Sequence, residues 1–275
     1  MPELPEVETV MRGLTPVMLN NVIEHVQLNR KDLRIPFTPQ MNKKLQGVNI
    51  HSLSRRAKYI LVNCSAGKIL VIHLGMSGRI SIVPAEEEYI AEKHDHMVLT
   101  LKTGDRIIYN DPRRFGMVFV VNDKDVEAHK CFAHLGPEPL GNDFYAEYLK
   151  SVLKNKKTSI KQAVLDQRVV VGVGNIYACE ALYQAGIRPT KLAGKVSLQK
   201  LENLVVAIKD VLARAILAGG STLKDYRHAD GELGYFQHNF TTYDCEGQSC
   251  QSCGATIKRI VQGGRSTFYC PKCQK

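Results

Sequence analysis

The stretch CQSCGATIKRIVQGGRSTFYCPKC, residues 250–273, decides how the end of this chain folds. Cys250 and Cys253 have two residues between them, Cys270 and Cys273 repeat that spacing, and sixteen residues separate the pairs. Two residues between cysteines let one tight turn aim both thiolates at a common point, and two such turns complete a tetrahedral site. The pattern predicts one structural Zn2+ with no open position for catalysis. A redox pair and an iron-sulfur site are the alternatives.

The residues between the two pairs predict a β-hairpin that turns at Gly263-Gly264 and carries Lys258, Arg259 and Arg265. A hairpin pinned by zinc can present an arginine rigidly to a phosphate, whereas a plain solvated turn would have no such role. The remaining cysteines lack metal spacing, so we expect packing residues or free thiols at Cys64, Cys131, Cys179 and Cys245. Cys245 lies just before the pairs, where it could also compete for metal or oxidise.

The amino end, MPELPEVETV, predicts a helix that begins near Pro5, because a first-turn proline and acidic residues both suit a helix start. Apolar residues follow at helical spacing and predict one buried face: Val7, Val10, Met11, Leu14 and Met18. This interpretation leaves Pro2 and Glu3 without a structural role.

The middle of the chain, from about residue 45 to 122, consists of β-rich runs broken by turn-forming pairs at Ala66-Gly67 and Gly104-Asp105. It predicts a largely antiparallel β domain. The Gly- and Pro-rich stretch at 135–144 is the best boundary. We expect a β domain over 1–134, a linker over 135–150, a helical domain over 151–236 and a zinc hairpin over 237–275.

Two helices are predicted in the second half. One lies in NIYACEALYQAGIRP, with Gly186 past its end and Pro189 forbidding continuation, and a long amphipathic one runs from Leu198 to Ile216 and is stopped by Gly219-Gly220. The loop VVVGVGNIYA holds two glycines of a dinucleotide fingerprint, but the third is missing. A glycine turn that feeds a helix is favoured, with Asn175 and the first N–H groups facing an anion. Upstream, four lysines in KNKKTSIK are typical of a solvated face.

The charge balance points to a polyanionic partner, since 37 Lys and Arg outnumber 27 Asp and Glu among 275 residues. No basic segment followed by an apolar core opens the chain, and no run of 18 apolar residues occurs, so secretion and membrane spanning are not expected. The cytoplasm is therefore the expected compartment.

Four stretches occur in order along the chain: PELPEVET at the start, RRAKY at 55–59, DPRRFG at 111–116, and GVGNIYACEAL followed by the cysteine pattern. Together they resemble the bacterial formamidopyrimidine-DNA glycosylase family over essentially the whole chain. PELPEVET is more similar to the oxidised-purine branch than to the endonuclease VIII branch. The resemblance implies an α+β multidomain fold: an N-terminal antiparallel β-sandwich with flanking helices, then a helix-two-turn-helix domain with a zinc-bound β-hairpin.

The resemblance also implies a catalytic set. Pro2, freed of Met1, would be the nucleophile that attacks C1′ of a damaged nucleotide, expels the base and leaves an iminium that permits β- and δ-elimination. Glu3 corresponds to the acid that protonates the opening sugar, and Glu6 to a supporting residue. Lys58 corresponds to a proton-transfer residue of β-elimination, and Arg265 to the zinc-hairpin arginine that grips phosphates for δ-elimination.

Damaged double-stranded DNA is the partner that the resemblance implies, bound by a monomer near the bacterial nucleoid. A glycosylase must rotate its target base out of the stack, and something must fill the gap. Met76, Arg113 and Phe115 correspond to the wedge residues. Phosphate contacts are expected from His94, Arg114, Lys157 and Asn175. Residues 219–236 resemble the loop that closes over the everted base.

Two other functions stay open at this point. An endonuclease VIII-like glycosylase would prefer oxidised pyrimidines. A non-catalytic zinc-containing DNA-binding protein would bind with strong salt dependence and no turnover.

Overall fold

The computed structural model describes residues 2–221 and 234–275. The chain divides into two compact units. The first comprises Met1–Ala133 with Ala218–Tyr235, and the second comprises His134–Leu217 with Phe236–Lys275. Among the described residues, no helix is both long and apolar enough to cross a membrane. The domain limits expected from the sequence stay predictions.

The first unit contains two four-stranded antiparallel sheets. One has the order β2-β3-β4-β8 and consists of Ile50–Arg56, Tyr59–Cys64, Lys68–His73 and Met117–Asn122. The other has the order β1-β6-β7-β5 and consists of Ile23–Leu28, Asp95–Leu101, Arg106–Asn110 and Arg79–Val83. Apolar residues from both sheets share one buried cluster, which confirms the predicted β-sandwich.

Strand β1 lies outside the predicted β region. Its register shifts between Ile23 and His25, and only Ile23 and Val26 are buried, so the alternation that identifies a strand is interrupted. A short helix, α2 (Met41–Leu45), follows it.

Helix α1 (Leu4–Met18) packs its apolar face into the same core, as predicted. The expectation that Glu3 has no structural role is wrong. Glu3 is the N-cap of this helix and forms a reciprocal capping box with Glu6, which satisfies backbone N–H groups that a helix start otherwise leaves unpaired.

The second unit is helical. It contains α3 (Ala146–Leu153), α4 (Ile160–Leu165), α5 (Asn175–Gln184) and α6 (Leu198–Leu217). Both predicted helices are confirmed, because α6 ends just before Gly219 and α5 closes with Gly186 in the left-handed region at φ 62°. The Ile187 N–H then bonds the Leu182 carbonyl, the hydrogen bond of a Schellman motif.

The predicted terminal hairpin is also confirmed. Strands β9 (Lys258–Gln262) and β10 (Arg265–Tyr269) pair antiparallel, with Gln262 opposite Arg265. Gly263 and Gly264 both have positive φ, at 56° and 73°, as a two-residue type I′ turn requires.

Candidate active site and zinc centre

The amino end is fixed by one buried carboxylate. Glu6 Oε2 accepts a hydrogen bond from the Glu3 backbone N–H at 2.8 Å, and Glu6 Oε1 accepts one from the Ser221 N–H, also at 2.8 Å. Pro2, Glu3 and Glu6 are all buried. The residue that the sequence predicts as nucleophile therefore precedes a helix start that is held from two directions.

Lys58 lies in the two-residue turn between β2 and β3, next to Ala57, whose φ is 54°. Arg55 donates to the Ala57 carbonyl at 2.9 Å and to the Glu8 carboxylate at 2.8 Å. Since Glu8 belongs to α1, this guanidinium ties the turn that carries Lys58 to the helix that begins beside Pro2. Lys58 is itself buried.

His73, at the end of β4, is a neutral neighbour of this lysine. Burial, reinforced by the positive charge of Lys58, lowers the pKa of His73 to about 4. Its Nδ1 consequently accepts a hydrogen bond from the Gly75 N–H at 3.1 Å. The bond anchors the loop that carries Met76.

The predicted wedge residues are on the surface. Met76 is 37 % exposed and Phe115 is 45 % exposed, so both side chains are accessible from solvent. The Arg113 guanidinium lies 4.9 Å from the Phe115 ring centroid, a cation–π contact. Arg114 is exposed with φ 57°, and His94 is half-buried.

Lys157 is exposed, but Lys161 in the same lysine run is fully buried, at 0 % exposure. The prediction of a solvated face is therefore wrong for Lys161. Its ammonium donates to Asn175 Oδ1 at 2.6 Å, to the Ser266 carbonyl at 3.1 Å and to Thr267 Oγ1 at 2.6 Å. The three acceptors satisfy a charge that would otherwise be costly to bury.

Asn175 is the first residue of α5, as expected, but its side chain faces the hairpin. The amide donates to the Ser266 carbonyl at 2.9 Å while its oxygen accepts from Lys161. Arg265 is the neighbouring residue on β10 and is exposed. Lys161 and Asn175 thus hold the backbone beside the predicted phosphate-gripping arginine.

The four cysteine sulfurs are arranged to bind one metal ion. All Sγ atoms lie within 4.8 Å of one another. Cys250 and Cys273 are 3.8 Å apart, and Cys253 and Cys270 are 3.5 Å apart. Tetrahedral Zn2+ with Zn–S bonds of about 2.3 Å requires sulfurs about 3.8 Å apart, so the site fits zinc.

Neighbouring residues complete the zinc centre. The Tyr183 hydroxyl is 3.1 Å from Cys250 Sγ, within hydrogen-bond distance of a thiolate. Cys245 packs against this cluster and donates to the Tyr243 carbonyl, which agrees with a packing residue. It does not belong to the four-sulfur group found among the described residues.

Three family descriptions match the chain in order. The formamidopyrimidine-DNA glycosylase N-terminal domain matches residues 1–118, and the formamidopyrimidine-DNA glycosylase H2TH domain matches 135–227. The zinc finger found in FPG and IleRS matches 247–275. The chain belongs to the formamidopyrimidine-DNA glycosylase family.

Known proteins are similar to this chain in sequence and structure over essentially its full length. Formamidopyrimidine-DNA glycosylase of Ruegeria pomeroyi is 50 % identical over 283 residues, covering 100 % of both chains. A point mutant of Lactococcus lactis FPG, solved in complex with DNA containing Fapy-dG, has a TM-score of 0.91, 32 % identity and 100 % coverage of both chains. MutM (FPG) of Thermus thermophilus has a TM-score of 0.89 and 38 % identity, covering 99 % of this chain and 98 % of its own.

Family membership confirms the predicted formamidopyrimidine-DNA glycosylase, its three-part fold and its structural zinc, which the four cysteines bind. The chain is an enzyme of the bifunctional glycosylase and lyase class, so the non-catalytic interpretation is set aside. The family match and the similar relatives are formamidopyrimidine-DNA glycosylases, which favours the oxidised-purine branch over the endonuclease VIII alternative. The roles of individual site residues stay predictions.

The predicted site residues divide between the units. The first unit holds Pro2, Glu3, Glu6, Lys58, Met76, His94, Arg113, Arg114 and Phe115, and the second holds Lys157, Asn175, Arg265 and the four cysteines. Most of the predicted capping loop, residues 222–233, lies outside the described residues. Its two ends are described, and Ser221 forms a β-bridge with Tyr235.

Three residues that support this site were not predicted: Asp111 and Lys161, which are buried, and His73, which is half-buried. The available signal was position: His73 lies three residues before the predicted wedge residue Met76, and Asp111 begins the stretch DPRRFG. A fourth, Glu180 on α5, accepts backbone N–H groups of Thr241, Thr242 and Tyr243, at 3.0, 2.9 and 2.7 Å. It ties α5 to the segment that leads into the zinc finger.

Proposed function

We propose that this formamidopyrimidine-DNA glycosylase excises 8-oxoguanine and formamidopyrimidines from duplex DNA through a Schiff base on Pro2, and then cuts the strand by β,δ-elimination. The observation that carries the proposal is the buried capping box of Glu3 and Glu6, which immobilises the residue next to the predicted nucleophile. An amine held in place attacks its target without the entropic cost of ordering a free chain end.

The chemistry begins with the Pro2 nitrogen lone pair. It bonds to C1′ of the damaged nucleotide, and the C1′–N bond to the base breaks so that the base leaves with that electron pair and takes up a proton. The bonded amine then loses its proton, and the C1′–O4′ bond breaks as the ring oxygen takes up a proton, which leaves an iminium between Pro2 and C1′. This iminium withdraws electrons from C2′, and a C2′ proton can then be removed while the 3′ phosphate departs. A second elimination releases the 5′ phosphate.

Glu3 and Lys58 supply proton transfers in this scheme. Glu3 protonates the ring oxygen as the sugar opens, and Lys58 takes part in the removal of the C2′ proton. Support comes from Arg55, which connects the Lys58 turn to α1 through Glu8. Both proton-transfer residues therefore belong to one scaffold with Pro2.

Duplex DNA is the proposed partner, bound by a monomer in the bacterial cytoplasm. The net charge of +10 favours a polyanion. Met76, Arg113 and Phe115 fill the space of the everted base, and their exposure suits that role. Phosphates are contacted by a basic and polar set: His94, Arg114, Lys157, Asn175 and, for δ-elimination, Arg265.

The test is borohydride trapping with a removable block. The chain is produced with a protease-cleavable leader whose removal leaves Pro2 as the first residue, and both forms are mixed with 8-oxoguanine duplex and borohydride. We expect a covalent adduct, mapped to Pro2 by mass spectrometry, only after cleavage. An adduct of equal yield with the leader in place would place the nucleophile elsewhere. A matched thymine glycol duplex measures the preference for oxidised purines.

A further inference from the structure

Asp111 is a buried carboxylate that no step of the proposed mechanism uses. It directly follows β7 and has 0 % exposure. Ser77 Oγ donates to its Oδ1 at 2.6 Å, and the Gly116 backbone N–H donates to its Oδ2 at 2.8 Å. One carboxylate therefore bonds the loop that carries Met76 and the loop that carries Phe115.

The backbone of Asp111 extends the same connection. Its N–H donates to the His94 carbonyl at 3.1 Å, and its own carbonyl accepts from His96 Nε2 at 2.9 Å and from the Arg114 N–H at 3.2 Å. Ser77 Oγ also accepts from the Arg113 N–H at 3.2 Å. Short hydrogen-bonded paths thus connect Asp111 to the DNA-contacting residues predicted in the first unit. These are Met76, His94, Arg113, Arg114 and Phe115.

The two loops touch through their backbones. A Cβ atom added at Gly75 would lie 2.4 Å from the Phe115 carbonyl carbon and 2.4 Å from the Gly116 nitrogen. One added at Gly116 would lie 1.7 Å from the Tyr109 hydroxyl oxygen. Burial and the Asp111 charge raise the pKa of Tyr109 well above its usual range, so that hydroxyl keeps its proton. No side chain separates the loops at this described contact, and the carboxylate is a polar group that joins them.

The two loops are buried where they contact each other and exposed where they carry the predicted wedge side chains. Asp111, Ser77 and Gly116 are buried, whereas Met76 and Phe115 project into solvent from the same two loops. Before DNA binds, base stacking cannot orient the side chains that will enter the stack. Contacts within the protein, between the buried parts of the two loops, have to orient them.

We propose that Asp111 is a positioning residue that locks the Met76 loop and the 113–116 loop into one rigid wedge, so that Met76, Arg113 and Phe115 enter the duplex together. The proposal rests on the wedge role given under the proposed function. A wedge ordered in advance loses no loop entropy when DNA binds, and it holds the unstacked state open while Pro2 reacts. Without the carboxylate, the Ser77 hydroxyl and the Gly116 N–H lose this acceptor and the loops part.

Three variants test this role. Asp111→Ala removes the bonds from Ser77 and Gly116, together with a longer one that the Tyr109 hydroxyl donates to Asp111 Oδ2 at 3.4 Å. Asp111→Asn can keep the Ser77 and Gly116 connections, because an amide oxygen can accept from Gly116 while the amide nitrogen donates to the Ser77 hydroxyl. Asp105→Ala is the matched control: this carboxylate lies at the opposite end of β7 and also accepts from a hydroxyl, Thr103 at 2.6 Å, and from a backbone N–H, Ala85 at 3.1 Å.

Two activities and one spectroscopic signal are measured for each variant. Lesion excision from duplex needs the wedge, whereas strand scission at an abasic site in single-stranded DNA does not. Fluorescence of 2-aminopurine beside the lesion reports unstacking. For Asp111→Ala we expect duplex excision to fall about 30-fold, equivalent to the loss of one or two buried hydrogen bonds, with a matching loss of the fluorescence rise. Single-strand scission should fall no further than in Asp105→Ala.

Asp111→Asn should recover most of the duplex activity. The proposal is overturned if Asp111→Ala lowers duplex and single-strand reactions equally, if it leaves the 2-aminopurine signal intact, or if Asp111→Asn is as impaired as Asp111→Ala. Failure of the proposed function has a different signature: the unaltered protein would then cut neither substrate and trap no DNA.

Discussion

The substitution Glu6→Gln tests whether a single carboxylate positions the amino end. Each Glu6 oxygen accepts one backbone N–H at 2.8 Å, from Glu3 and from Ser221, in a buried setting. Glutamine offers one oxygen and one NH2 group. One of the two N–H groups must therefore lose its acceptor and face another donor.

The size of the effect follows from these two bonds. A buried hydrogen bond to a charged group contributes about 1.5–3 kcal/mol. If that energy holds Pro2 in its reactive position, its loss slows imine formation by about 10- to 150-fold, at about 1.36 kcal/mol for each factor of ten. The free energy of unfolding should fall by a similar amount, because one backbone group stays buried and unsatisfied.

The assay is the single-turnover rate of borohydride trapping on an abasic duplex, with DNA affinity measured in parallel. Glu24→Gln, at an exposed position on β1, makes the same chemical change without a buried contact and should keep the rate within about twofold. Trapping by Glu6→Gln at the rate of the unaltered protein would refute the positioning argument. Equal loss of affinity and rate would show that the substitution acts on DNA binding.

Other contacts give three further predictions. The pKa of His73 is about 4 in the folded chain and returns to about 6.5 on unfolding. The stability that its neutral form provides is therefore full above pH 6.5 and is lost as pH falls toward 4. In His73→Asn, the fall in Tm between pH 6.5 and pH 4 should be smaller than in the unaltered protein. Tyr183→Phe removes a hydrogen bond to Cys250, and peroxide should release zinc about tenfold faster, measured with a chromogenic chelator, while exposed Tyr145→Phe should not change the rate. Lys161→Met removes the one donor shared by three buried acceptors and should lower the free energy of unfolding, measured with urea, by about 3 kcal/mol or more. The exposed control Lys157→Met should lower it by under about 0.5 kcal/mol.

Local chemistry made the strongest features predictable. The zinc ligands, the Gly263-Gly264 turn and the long helix α6 each depend on spacing within a few residues, and all three are confirmed. Strand β1 escaped prediction because its register shift breaks the alternation. The N-cap role of Glu3 was not predictable in the same way, because a capping box usually begins with Ser or Thr and here a glutamate fills that position opposite Glu6.

Buried polar residues were the hardest to predict, because their partners are distant in sequence. Ser77 and Asp111 are separated by 34 positions, and Glu6 and Ser221 by 215. From sequence alone, a carboxylate at the end of a β strand is expected on the surface, because the hydrogen-bond donors that would allow its burial lie far away along the chain. The sequence signature DPRRFG therefore marked the exposed arginines and the phenylalanine but gave no account of the aspartate that begins it.

Lys161 shows what such a residue adds to function. Zinc holds the hairpin at Cys270, after the end of β10, whereas Arg265 begins that strand. A two-stranded hairpin is marginally stable alone, so a metal at one end does not fix the direction of a side chain at the other. Lys161 and Asn175 bind the Ser266 carbonyl directly beside Arg265, and Lys161 also binds Thr267. A buried cation from α4 thus holds the backbone next to the predicted phosphate-gripping arginine, and removing that cation should disturb Arg265 while the zinc stays bound.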